Sequence, residues 1–136
     1  MLDELDGRLD LKRIHFLGHL SYQQYLTVLQ ISTVHVYLTC PFVLSWSLLE
    51  AMSAGCLVVS SRTPPVEEVM RDGVNGRLVD FFDLEALADR ITAALVTNSN
   101  GASNRIRTAA RQTAIERYDV HTVTLPAYLD LLRSLL

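Results

Sequence analysis

The stretch from Val34 to Ser60, VHVYLTCPFVLSWSLLEAMSAGCLVVS, holds two short apolar runs around a helical segment. VHVYL (Val34–Leu38) is β-branched and aromatic and reads as a strand. The segment from about Ser45 to Ala54 reads as a helix that stops at Gly55, a residue suited to the left-handed position after a helix end. LVVS (Leu57–Ser60) is a second strand. A strand, a helix and a strand at this spacing form a βαβ unit, which implies a parallel pair with a right-handed crossover. The apolar run that begins at Val43 is broken by Ser45, Ser47 and Glu50, so it falls short of the ~20 apolar residues of a spanning helix.

The same alternation extends in both directions. Upstream, RIHFL (Arg13–Leu17) is a strand candidate that stops at Gly18. Ser21 is an N-cap candidate for YQQYLTVLQI, where Tyr22, Tyr25, Leu26 and Leu29 share one helical stripe. Downstream, two prolines open a short helix in RTPPVEEVMRDG, whose end is marked by Gly73. GRLVD (Gly76–Asp80) is a further strand, and Asp83 caps a helix carrying Leu84, Leu87, Ala88, Ile91 and Leu95. Thr97 to Asn104 reads as a polar loop. Arg105–Tyr118 and about Val120–Leu136 read as two closing helices, the second kinked or restarted at Pro126. The expected fold is α/β: a partial Rossmann-like parallel sheet of about four strands with flanking helices. It forms a single domain over 1–136, with a βαβ core over 13–96 and closing helices over 97–136.

Composition sets outer limits. A chain of 136 residues with 49% hydrophobic content fits one domain with a real core. A net charge of −3 disfavours a nucleic-acid module, which shows a basic face. The acidic start MLDELDGRLDLKR has no apolar core of a signal peptide, so a cytoplasmic protein without a transmembrane segment is expected. Cys40 and Cys56 sit in or beside apolar segments and read as reduced, buried thiols rather than a disulfide or metal pair. No metal or cofactor is expected.

Parallel sheets of this kind bind ligands beyond the carboxyl ends of their strands, at helix N-termini. The loop from Thr39 to Leu44 leads from VHVYL into such a helix start. Glu50 lies one turn further on. Helical spacing alone fits a carboxylate that faces solvent or meets an arginine.

The order of the pieces adds a resemblance. LLEAMSAG, LVVSS, PPVEEV and DGVNGRLVDFFD, in this order and spacing, are similar to the donor-binding half of retaining GT-B glycosyltransferases, over about Ile14 to Tyr118. In that family the helix after the fourth strand carries two glutamates separated by seven residues. The second matches Glu50, which the resemblance implies accepts hydrogen bonds from the donor ribose. An ionised carboxylate suits this, being acceptor-only and able to take two hydroxyls at once. The first glutamate falls at Phe42 and is replaced here. Ser45, Trp46 and Ser47 match the helix start that faces the donor diphosphate, and Gly18 with His19 match the loop near the nucleobase. Glu68 matches a family turn glutamate and reads as structural.

The family also places a glycine-bearing loop, then an arginine and a lysine, early in this domain to neutralise the diphosphate. Nothing before Arg13 matches them, nor the first two strands, nor an acceptor domain. Arg62 and Arg13 are substitute cations. In the family order 3-2-1-4-5-6, the two unmatched strands fall between RIHFL and VHVYL. The sheet then either closes RIHFL onto VHVYL or takes strands from elsewhere. Two readings follow: part of a nucleotide-sugar donor site, not competent for transfer alone, or a non-catalytic α/β module that associates with itself or another chain. Expected partners are a nucleotide sugar or nucleoside diphosphate, together with a second copy or an N-terminal portion.

Overall fold

The structure, a computed structural model, describes residues 10–39, 43–97 and 101–135. Cys40 and Phe42, both singled out above, lie outside the described residues. Three parallel strands form the sheet in the order β1-β2-β3: His35–Tyr37, Val58–Ser61 and Arg77–Val79. Val36 is level with Val59, and Ser60 with Leu78. The helices are α1 (Tyr22–Ile31), α2 (Trp46–Ala54), α3 (Pro64–Glu67), α4 (Leu84–Val96), α5 (Gly101–Tyr118) and α6 (Leu125–Ser134).

Local chemistry sets most of these boundaries. α1 begins at a full capping box: the Ser21 hydroxyl accepts from Gln24 N–H at 3.4 Å, and the Gln24 side chain accepts from Ser21 N–H at 2.9 Å. α2 ends at Gly55, whose φ of +83° is left-handed. Asp83 caps α4 by accepting from Ala86 N–H at 2.9 Å.

The sheet packs on both faces. On one lie residues of α1, α2, α3 and α5, with Leu48, Met52, Val58 and Met70 essentially inaccessible. On the other, α4 and the first turns of α5 cover Leu57 and Val59 through Ala94 and Ile106. Cutting Leu48 to alanine in such a core costs about 2–5 kcal/mol. Three α5 arginines tie that helix to backbone carbonyls before β1, in α2 and at the end of α3: Arg107 to Thr33 (2.5 Å), Arg111 to Ser53 (2.5 Å) and Arg117 to Glu68 (3.0 Å). Cys56 is a buried free thiol that donates to Leu29 O at 3.0 Å, and burial pushes its pKa up.

Two expectations are corrected. Among the described residues the sheet has three strands, not four: Leu11–Arg13 is a 3-10 turn, and 14–17 belong to no strand. A strand needs a neighbour to receive its backbone groups, and RIHFL does not close onto β1. Phe16 and Leu17 remain 73% and 54% exposed. The polar loop ends sooner than expected, because Gly101–Asn104 already belong to α5. Ser103 there is buried and shares a 3.3 Å hydrogen bond with Thr97. The last helix does restart near Pro126, after a π-helical turn over Val120–Thr124. Asp119 caps that turn, accepting from Thr122 N–H (2.8 Å) and His121 N–H (3.0 Å), and these bonds hold its pKa below the usual carboxylate range.

Candidate functional site

Two tertiary contacts build the carboxyl end of the sheet. The Ser61 hydroxyl bridges the ends of β1 and β2, accepting from Thr39 N–H at 3.0 Å and donating to Thr39 O at 2.9 Å. The Tyr37 hydroxyl, at the end of β1, accepts from Ser45 N–H at 3.0 Å. A strand tyrosine therefore holds the start of α2 in place. The sequence shows Tyr37 only as a β-forming residue, so this role is legible only in the folded chain.

Ser45 is the N-cap of α2. Its hydroxyl accepts a long 3.3 Å bond from Ser47 N–H and lies 3.0 Å from the Ser47 hydroxyl. Trp46 is 79% exposed beside it, while Leu48 on the opposite side is sealed in the core. Ser45 N–H and Ser47 N–H are thus already engaged, by Tyr37 and by the Ser45 hydroxyl, and the dipole of α2 favours negative charge at this end.

Glu50 lies one turn along α2 and is half-buried. It borders a cavity of about 270 Å³ shared with Trp46, Leu49 and Ser53, and closed on the far side by Ala114, Tyr118 and Val120. A second cavity of about 240 Å³ shares Trp46, Leu49, Tyr118 and Val120 and reaches Ser45 and Thr124. Together they form a largely apolar cleft between α2 and the end of α5, with two carboxylates, Glu50 and Asp119, on its wall. On the α1 side Glu50 neighbours two phenols. Burial, and then the Glu50 charge, push Tyr25 up to about 12; the same charge, acting first, raises Tyr22. The Tyr25 hydroxyl is buried without a hydrogen bond of acceptable geometry among the described residues.

Of the six residues expected at the site, Ser45, Trp46, Ser47 and Glu50 share one end and one side of α2. Gly18 and His19 line neither cavity. They sit exposed in the turn before α1, with Gly18 at φ +63°. Arg62 pairs with Glu67 at 2.9 Å, both side chains roughly half exposed. Such a surface pair contributes ~1 kcal/mol at most, so the guanidinium is exchangeable. Arg13 is exposed, and Glu68 caps the end of α3 with its carbonyl taken by Arg117.

Residues 2–113 match the family described as Glycosyl transferases group 1. The chain belongs to that family. Its relatives include the lipopolysaccharide core biosynthesis glycosyltransferase LpsE of Rhizobium meliloti, 34% identical over 64% of this chain and 25% of that protein. The phosphatidyl-myo-inositol mannosyltransferase of Mycobacterium leprae is 42% identical over 53% of this chain and 18% of its own length. Among solved structures, HepE of Anabaena in complex with UDP-glucose superposes with a TM-score of 0.81 at 24% identity, over 97% of this chain and 36% of that one. A glycosyltransferase from Rickettsia africae gives 0.80 at 20% identity, over 98% and 35%. The GT-B fold is therefore shared, and the chain spans about a third of those structures and a quarter or less of the two curated relatives. In this group 1 chain, no cluster of three or more His, Cys, Asp or Glu among the described residues is placed to hold a metal ion. No described helix is long and apolar enough to cross a membrane.

Proposed function

We propose that this chain forms part of the donor site of a retaining glycosyltransferase, and that it binds the nucleoside diphosphate portion of a nucleotide sugar. The observation that carries the reading is the position of Glu50: half-buried, on a cleft wall, one turn past the N-terminus of α2, in a group 1 family chain. The α2 amides around Ser45, Trp46 and Ser47 face the diphosphate, and Glu50 accepts the ribose hydroxyls. The HepE structures bound to UDP-glucose and to UDP make uridine diphosphate the first ligand to test.

Transfer itself needs donor and acceptor held together and the leaving diphosphate stabilised. This chain carries neither a matched acceptor domain nor the family's arginine and lysine, so the 136-residue protein alone is expected to bind but not to turn over. The test is isothermal titration with UDP, GDP, ADP and CDP, followed by a transfer assay with the matching nucleotide sugar. Binding of one diphosphate without turnover is the expected result. No binding to any of them removes the donor-site reading, and turnover by the chain alone removes the claim of incompetence. The reading as a self-associating module rests on a different observation, that one edge of β1 pairs with no strand among the described residues.

A further inference from the structure

The phenol of Tyr25 presents an unsolved local problem. Its ring lies on the inner stripe of α1, packed against the core formed with α2. Its hydroxyl is withdrawn from water and has no hydrogen bond of acceptable geometry among the described residues. Leaving a buried hydroxyl unmet costs about 1–3 kcal/mol, so the group is under pressure to engage a nearby acceptor. Helix α1 packs on α2, which carries the Glu50 carboxylate, and the charge of Glu50 helps raise the pKa of the phenol. Tyr22 stands 6.3 Å from Tyr25, ring to ring, and also feels Glu50. At 63% exposure, however, water can serve its hydroxyl.

We propose that Tyr25 is a positioning residue for Glu50, its buried hydroxyl donating to one carboxylate oxygen and so presenting the other to ligand hydroxyls in the cleft. The inference rests on the reading of Glu50 as the ribose acceptor and adds the group that orients it. A carboxylate has about four acceptor positions, so one phenol does not exhaust it. A neutral donor to a charged acceptor makes a strong, short bond, which fixes a side chain that has three rotatable bonds of its own. The phenol stays protonated, and hence a donor, throughout the neutral range, because burial and Glu50 both oppose its ionisation.

A purely structural tyrosine and a positioning one respond differently to Tyr25→Phe. Removing an unmet buried hydroxyl leaves stability level or raises it. Losing the bond that orients Glu50 weakens ligand binding. The experiment uses the full chain with UDP, or whichever diphosphate binds most tightly, and compares the wild type, Tyr25→Phe, Glu50→Gln and the double variant by titration and thermal melting. A ring-fluorinated tyrosine placed at position 25 brings its ionisation into the range where the fold persists, and fluorine NMR reads it without any ligand. We expect the ionisation to shift to lower pH in Glu50→Gln. We expect Tyr25→Phe to raise Kd about five- to tenfold, and the double variant to be no weaker than Glu50→Gln alone. An unmoved ionisation midpoint overturns the contact. A moved midpoint with unchanged Kd in Tyr25→Phe overturns the positioning role. If the wild type binds no diphosphate while the midpoint still moves, the donor-site reading falls and the Tyr25–Glu50 contact stands.

Discussion

Glu50 is the residue on which the functional reading turns. A hydrogen bond to a charged group contributes about 1.5–3 kcal/mol, so Glu50→Ala should weaken diphosphate binding by roughly ten- to a hundredfold. Affinity unchanged in that variant takes Glu50 out of the site. The sequence singled Glu50 out because a carboxylate inside LLEAMSAG breaks an otherwise apolar helix, and its proposed role at the ribose came from the family resemblance rather than from that pattern. Tyr25 and Tyr37 were legible only as apolar surface: one on a helical stripe, the other in a β-forming run. The Tyr37 hydroxyl acquires its role at Ser45 N–H once β1 and α2 pack together, and the role proposed for Tyr25 depends likewise on the packing of α1 on α2. Residue type and spacing carry no record of that.

At the scale of elements, α2 was the easiest to read, since both of its ends are written locally. Ser45 supplies the cap and Gly55 the left-handed exit. Nothing lies within 4 Å of a Cβ built on Gly55, so Gly55→Ala meets no clash and its cost is conformational. A non-glycine residue in that region costs about 1–2 kcal/mol. The variant should therefore melt a few degrees lower with its diphosphate affinity intact. A melting temperature equal to the wild type would show that the helix exit relaxes to another conformation. RIHFL was misread for the opposite reason. Its composition is strand-like, but a strand exists only with a partner, and the partner is a tertiary fact. The start of α5 was misread because serine, asparagine and glycine suit loops, whereas burial of Ser103 against Thr97 draws that turn into the helix.

At the scale of the whole molecule, the two edges of the sheet are built differently. β3 carries Arg77 and runs into Asp80, charges of the kind that discourage pairing at an exposed edge. Among the described residues β1 pairs only with β2, and Val34 to Leu38 contains no Asp, Glu, Lys or Arg. Burial lowers the pKa of His35, which keeps its imidazole neutral at pH 7. Val36 and Leu38 stand 40% and 46% exposed on that strand, so two copies can bring these edges together without charge repulsion. An unguarded strand of this kind recruits backbone partners, and in a solution of this chain the available partner is a second copy. We therefore expect sedimentation velocity at micromolar concentration to show a self-associated species, and Val36→Lys, which places a charge on the edge, to shift it toward monomer. α6 contributes further apolar surface, since its Tyr128, Leu131 and Leu135 are all more than half exposed. A variant cut after Asp119 separates the two surfaces: association that survives the cut and is lost in Val36→Lys belongs to the β1 edge. A clean monomer of the uncut chain at these concentrations would show that the open edge is tolerated in water.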